Sequence, residues 1–182
     1  AKSVPAKQVG GDFYDLRVNG TDAVVTLGDV MGKGMGAGML AAATRAALQA
    51  NELDKSAADA VISAARALEG DLQRSSAFVT LAYVHLQLSS GEYRLTDAGH
   101  GLHFIIRECG RRVEHVASDD LPIGLGDDWH ELRGTLVEIG AHTDRFMGYM
   151  TSNGAGEFEL ENCMAKAETA GITGVPHYVF YD

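Results

Sequence analysis

The residues best suited to chemistry lie at 27–40, which read Leu-Gly-Asp-Val-Met-Gly-Lys-Gly-Met-Gly-Ala-Gly-Met-Leu. A lone carboxylate, Asp29, follows an apolar run at 23–27, and glycines then occupy every second position from Gly32 to Gly38. Such spacing lets the backbone turn sharply and lets a ligand approach the main chain closely. A carboxylate at the mouth of such a loop points to a hard metal ion rather than a bare phosphate. A carboxylate facing phosphate needs a cation between them. A second carboxylate, Asp12, stands near the start of a glycine-led strand at 9–18. Asn19-Gly20 is a turn signal, and 23–27 reads as the returning strand, so the two segments form a hairpin. In an antiparallel hairpin Asp12 and Asp29, the latter just past its strand, fall at the same end and can converge. Asp15 is an odd number of residues from Asp12 and belongs to the other face.

Two other glycine-loop chemistries fit poorly. A Walker-type loop needs four residues between its first glycine and the Gly-Lys-Ser/Thr; Gly28 and Gly32 enclose three, and Gly34 replaces the hydroxyl residue. A dinucleotide fingerprint through Gly32, Gly34 and Ala37 would set Asp29 against a pyrophosphate. Lys33 reads as a solvated lysine. His85, His103, His115, His130, His142 and His177 show no metal-ligand spacing. Cys109 and Cys163 are far apart with no Cys-x-x-Cys, which argues against a disulfide scaffold or structural zinc and for two reduced thiols.

The elements that must hold these residues follow from pattern. An alanine-rich helix is expected over 36–51, with Met39, Leu40, Ala43, Ala47 and Leu48 on one face. A second helix starts from Ser56 as N-cap, with Asp59 three residues on, carries Val61, Ile62, Ala65 and Leu68 inward, and stops at Gly70. Strands follow at 78–88, 93–96, 102–107, 113–116 and 130–139, separated by turns at 89–91, 97–101 and 109–111 and a compact loop at 121–126. Strands in runs, with the helices grouped between them, indicate an α+β fold with antiparallel sheets rather than alternating βαβ units.

Composition narrows the partners. The 182 residues suit a single domain, and the 46% hydrophobic content supplies a core. The formal net charge of −10 argues against nucleic acid or an anionic membrane surface. No apolar run approaches the about 20 residues of a membrane helix, and the opening residues lack the apolar stretch of a signal peptide, so a cytoplasmic setting is expected.

Five motifs occur together and in order: Val9-Gly10-Gly11-Asp12-Phe13-Tyr14-Asp15, Gly28-Asp29-Val30-Met31-Gly32-Lys33-Gly34, Phe78-Val79-Thr80-Leu81, Ala98-Gly99-His100 and Leu121-Pro122-Ile123-Gly124. In this order and spacing the chain resembles the PPM-type metal-dependent serine/threonine phosphatases of the bacterial SpoIIE/RsbU branch, over residues 1–150. The resemblance implies an αββα sandwich of two antiparallel β-sheets flanked by helices, with two manganese or magnesium ions at one end. It implies hydrolysis of phosphoserine or phosphothreonine by a metal-activated water. Asp29 would bridge both ions, Asp12 would ligate one, and the Val30 backbone carbonyl would add an oxygen. The substrate would be a phosphorylated regulatory protein, such as the anti-sigma-factor antagonist of a sigma-factor switch. His100 becomes a turn and packing residue.

The likeness weakens toward the end, so the domain reads as truncated or atypical after about residue 150. The family's third metal carboxylate lies in an Asp-Gly; here the segment reads Met150-Thr151-Ser152-Asn153-Gly154, and Asn153 offers a carbonyl oxygen without charge. No Asp-Asp follows to supply a fourth. Fewer charged ligands imply weaker binding of one ion, or a single ion. The alternative is therefore a catalytically degenerate phosphatase-like domain that binds a phosphoprotein or partner. Residues 170–180 are similar to the cis-proline strand of DsbA-like thioredoxin folds, but without a Cys-x-x-Cys that chemistry has no nucleophile pair.

Overall fold

The structure, a computed structural model, describes residues 9–52, 56–101, 103–107, 112–116 and 118–135. Along the chain these form β1 (Asp12–Asn19), β2 (Asp22–Val30), α1 (Met35–Gln49), α2 (Ala57–Ser75), β3 (Val79–Gln87), β4 (Glu92–Ala98), β5 (Phe104–Arg107), β6 (Arg112–His115) and β7 (Leu132–Thr135). Five strands make one antiparallel sheet in the order β1-β2-β3-β4-β7, and β5 and β6 form a separate antiparallel pair. The fold is α+β.

Strand periodicity decides which face the helices cover. Val24, Thr26, Gly28 and Val30 of β2 are buried, while Leu27 and Asp29 between them are exposed. α1 lies on β1 and β2, and α2 on β3 and β4. Val24, Val30, Val79, Leu81 and Tyr83 from the strands meet Ala41, Leu48, Val61, Leu68 and Leu72 from the helices in one core. The loop after β6 closes one end of it: Val79 and Ile123 exchange backbone hydrogen bonds of 2.9 Å, and the buried Trp129 donates from Nε1 to the Leu121 carbonyl at 2.7 Å. On the opposite face Leu16, Val18, Leu27 and Leu132 stay exposed among the described residues.

Several expectations need correction. β2 does not end at Leu27 but runs through Val30, so Asp29 sits inside the paired strand rather than in the loop. Its partner β3 continues the ladder to Val79, opposite Val30. α1 turns Ala37, Ala41, Thr44 and Leu48 inward and leaves Met39 two-thirds exposed. An alanine-rich helix has only a weak apolar stripe, and the small residues let it approach α2 and the sheet. α2 passes straight through Gly70 to Ser75 and is capped by Ser76, which takes the left-handed conformation. Burying Leu72 beyond the glycine outweighs the roughly 1 kcal/mol that a mid-helix glycine costs. Ser56 does cap α2, accepting from the Asp59 amide at 3.0 Å, and the Glu131 carboxylate adds a bond from the Ala57 amide. Of the strand expected at 130–139, β7 forms Leu132–Thr135 and starts two residues later, and residues 136–139 lie outside the described ones. Cys109, Cys163, Asn153 and the segment 170–180 also lie outside them.

Arg17 ties the sheet edge to α1. Its Nη1 donates to the carbonyls of Gln49 and Asn51, both at 3.2 Å, and its Nη2 to the Tyr83 hydroxyl at 3.1 Å. Asp15 completes the junction by accepting from Gln49 Nε2 at 3.0 Å and facing Arg45 Nε at 3.3 Å. Replacing Arg17 with Met leaves these acceptors unpaired and is expected to cost about 1–3 kcal/mol in urea unfolding. Arg17→Lys, without the planar fork, should recover less than half of that loss. Unchanged stability in Arg17→Met would contradict this account.

Candidate functional site

The hairpin register brings the two carboxylates together. Gly20, at a φ of 60°, and Thr21 form the connecting turn, and every pair from Asn19↔Asp22 back to Asp12↔Asp29 follows from it. Asp12 and Asp29 are direct cross-strand partners, and side chains so placed stand about 4.5–5.5 Å apart at Cβ. Partial burial, the neighbouring Asp12 charge and a hydrogen bond shared with the Asp12 carboxyl all raise the Asp29 pKa above its ordinary value. The pair therefore holds on to a proton when nothing positive lies between its members.

Gly11 leaves the approach to this pair open. The Val30 amide donates to its carbonyl at 3.2 Å, extending the ladder by one step. A Cβ on residue 11 would lie 2.3 Å from the Val30 carbonyl oxygen and 3.1 Å from Asp29 Oδ1. Only a glycine leaves that carbonyl uncovered. Beyond Val30 the chain turns through Gly32 and Gly34, both at positive φ, into α1, whose first turn has no side-chain cap. Met31, Met35 and Lys33 are exposed along this loop.

The other side of Asp29 is occupied by residues that sequence reasoning did not assign to the site. Thr80 of β3 is the cross-strand partner of Asp29. Its Oγ1 lies 3.5 Å from the Asp29 carbonyl and 3.3 Å from His100 Nδ1. His100 occupies the turn after β4, as expected, between Gly99 and Gly101, both at a φ of 69°. Asp97 anchors that turn by accepting from the His100 amide at 2.7 Å and the Gly101 amide at 3.1 Å, and His103 Nε2 lies 3.2 Å from its Oδ2. Burial pushes the Asp97 pKa up, but the His103 contact and the two amides outweigh it and hold the group below the usual carboxylate range. Gly99 packs so closely that a Cβ would fall 2.6 Å from Pro122 Cδ. His100 is held below the ordinary histidine value by burial and the His103 charge, against the pull of Asp97, Asp29 and Asp12. The ring thus lies within the electrostatic surroundings of the carboxylate pair. The Phe78–Leu81 and Ala98–His100 motifs carried that signal, because pairing β2 with β3 sets Thr80 beside Asp29.

Two carboxylates and a main-chain carbonyl make a hard-oxygen donor set, which suits magnesium or manganese rather than a soft metal. Their mutual repulsion and the uncovered Val30 carbonyl fit one such cation. Among the described residues no group of three or more His, Cys, Asp or Glu could hold a metal ion. Asn153, the remaining expected ligand, lies outside them.

Comparison with known proteins gives this geometry a context. The family model for Stage II sporulation protein E (SpoIIE) matches residues 19–142. The phosphoserine phosphatase RsbU of Bacillus subtilis (strain 168) is 24% identical over 130 residues, covering 71% of this chain and 38% of RsbU. The chain thus spans well under half the length of that curated relative. Among solved structures, the RsbU and RsbW domains of Rv1364c from Mycobacterium tuberculosis match with a TM-score of 0.61 and 24% identity, over 71% of this chain and 36% of that one. RsbX in complex with magnesium matches with a TM-score of 0.59 and 13% identity, over 71% and 62%. At these identities the structural likeness is one of fold.

The raised Asp29 pKa has a stability consequence of definite sign. Its folded-state value lies above the unfolded one, so metal-free protein loses stability as pH rises through that folded value. Asp29→Asn should therefore melt about 1–3 °C above the wild type at pH 7.5 in chelator, with the advantage vanishing near pH 4. A variant less stable than wild type at both pH values would refute the repulsion. Gly11→Ala, by contrast, should lose about 1–3 kcal/mol and most of the affinity for manganese, read by urea unfolding and metal titration.

Proposed function

The chain belongs to the SpoIIE family of phosphatases, and from that premise we propose that it is a metal-dependent phosphoprotein phosphatase acting on phosphoserine or phosphothreonine. The observation that carries this reading is the Asp12–Asp29 pair, set face to face across β1 and β2 with Asp29 pushed toward its protonated form. RsbX, a structural neighbour, is described in complex with magnesium, which supports a hard divalent cation for this chain as well. Asp12, Asp29 and the Val30 carbonyl would hold it. A cation held there would supply polarisation of the phosphoryl group and a water of lowered pKa, so that hydroxide would be available near neutral pH.

The chain's own residues do the rest. The two carboxylates fix the position of positive charge, Gly11 keeps the approach clear, and the glycine turn at 32–34 lets a protein substrate come close to the main chain. The substrate class proposed is a phosphorylated regulatory protein of a sigma-factor switch, by extension from RsbU. A cytoplasmic setting belongs to the same proposal; no helix among the described residues is long and apolar enough to cross a membrane. Two manganese or magnesium ions are proposed for the full site, and one for the donors described.

A second reading has its own observation. Because Asp12 and Asp29 are the sole converging carboxylates at this end among the described residues, a phosphoprotein-binding domain without turnover is the alternative. Hydrolysis of 4-nitrophenyl phosphate with and without manganese separates the two. Manganese-dependent turnover that falls about 100-fold or more in Asp12→Asn and in Asp29→Asn is the expected result. No turnover at millimolar manganese from protein shown to be folded by circular dichroism would establish the binding domain instead.

A further inference from the structure

Across the end of the sheet run four residues in register: Asp12 on β1, Asp29 on β2, Thr80 on β3 and, from the turn after β4, His100. The first two are anionic and repel a phosphate. The Thr80 hydroxyl has a single hydrogen, and its contact with His100 Nδ1 at 3.3 Å is shorter than that with the Asp29 carbonyl at 3.5 Å. His100 differs from them in having one ring nitrogen fastened and the other free of any hydrogen bond to a described residue. A great deal of structure goes into placing that ring. The Asp97 carboxylate accepts two backbone amides of the turn, His115 Nε2 donates to the Gly101 carbonyl at 2.7 Å, and Gly99 is wedged against Pro122. Given to the nearer acceptor, His100 Nδ1, the single Thr80 hydroxyl hydrogen leaves the ring hydrogen on Nε2, which is then a donor.

We infer that His100 is a substrate-contacting residue whose Nε2–H donates a hydrogen bond to a phosphoryl oxygen held over the Asp12–Asp29 pair, with Thr80 as the positioning residue that sets the ring. The inference rests on the phosphatase reading for the presence of a phosphate ester at this end of the sheet. A site of two carboxylates and a carbonyl has no donor of its own for the phosphoryl oxygens that a cation leaves uncovered. An anchored imidazole supplies one. A hydrogen bond to a charged oxygen in such a setting is worth about tenfold or more in binding.

The test is calorimetric titration of inorganic phosphate into the manganese-loaded 182-residue chain, alongside kcat and KM for 4-nitrophenyl phosphate. His100→Ala should weaken phosphate binding and lower kcat/KM by about tenfold or more, with manganese affinity within about twofold of wild type. His100→Gln, which keeps an amide donor near the Nε2 position, should recover most of the loss; His100→Asn, whose donor is too short, should not. If His100→Ala fails to fold, the Gln–Asn difference decides. Thr80→Val should lie between Ala and wild type. The inference is overturned if phosphate affinity in His100→Ala stays within about twofold of wild type, if Gln does no better than Ala or Asn, or if wild type takes up no phosphate. Loss of manganese affinity in His100→Ala also overturns it, since the ring would then be a metal ligand. His100-dependent phosphate binding without turnover in the wild type would sustain the inference while removing the phosphatase reading. Turnover indifferent to His100 would do the reverse.

Discussion

Two carboxylates on adjacent strands, directly opposite one another, are an arrangement that a sheet ordinarily avoids, because like charges at cross-strand positions repel. Asp12 and Asp29 are kept there by everything the hairpin does elsewhere. The register is enforced from the opposite face, where Val24, Thr26 and Val30 are packed under the helices. A slip of one residue would turn those side chains out to solvent and bring Leu27 and Asp29 under α1. Burying a single valine is worth about 1.5–3 kcal/mol, which exceeds the screened repulsion of two partly exposed carboxylates. The core thus holds the repelling pair in place, and a cation between its members would relieve that repulsion.

The same economy appears around the pair. Gly11, Asp97 and Gly99 contribute no reactive group, yet each is needed because a backbone or a ring must come close. Gly11 admits the approach to the Val30 carbonyl, and Gly99 lets the turn after β4 press on Pro122. Asp97 shows how differently two carboxylates at one end of a sheet can be used. Its partners are hydrogen-bond donors, so it stays ionised and acts as a fixed anchor for a turn. Asp29's closest charged partner is another acid, so its ionised form is the costly one. Environment, not residue type, separates the anchoring carboxylate from the one whose charge is left unbalanced.

Much of this was legible from the amino-acid order because the carboxylate pair depends on local rules. A Gly20-centred turn and the two-residue alternation of strands are short-range, and together they put Asp12 beside Asp29 before any tertiary contact is considered. The α+β class followed equally from grouped helices and strands. What stayed illegible depends on contacts between distant segments. Alternative faces of an alanine-rich helix differ little in hydrophobicity, so the inward turn of Ala37, Ala41 and Thr44 is decided by α2 and the sheet. Gly70 looks like a stop, and only the buried position of Leu72 explains why α2 ignores it. His100 reads as a turn residue because its turn is local; the Thr80 hydroxyl that aims its ring comes from another strand.

That last case shows where function is hardest to read from pattern. A reactive carboxylate announces itself through charge and glycine neighbours, whereas a residue that completes the site does so through orientation. Orientation here is assembled from three separated pieces: the Asp97 carboxylate from the end of β4, the Thr80 hydroxyl from β3, and Pro122 from the loop before Trp129. None of the three identifies a site alone. Packed together, they fasten one nitrogen of an imidazole whose ring feels the charges of Asp29 and Asp12. An acidic domain that is to handle a phosphate must place its few positive or donating groups with care, since its overall field opposes the approach. The turn after β4, fixed by the Asp97 carboxylate and the Gly99–Pro122 contact, would meet that requirement under the proposed reading.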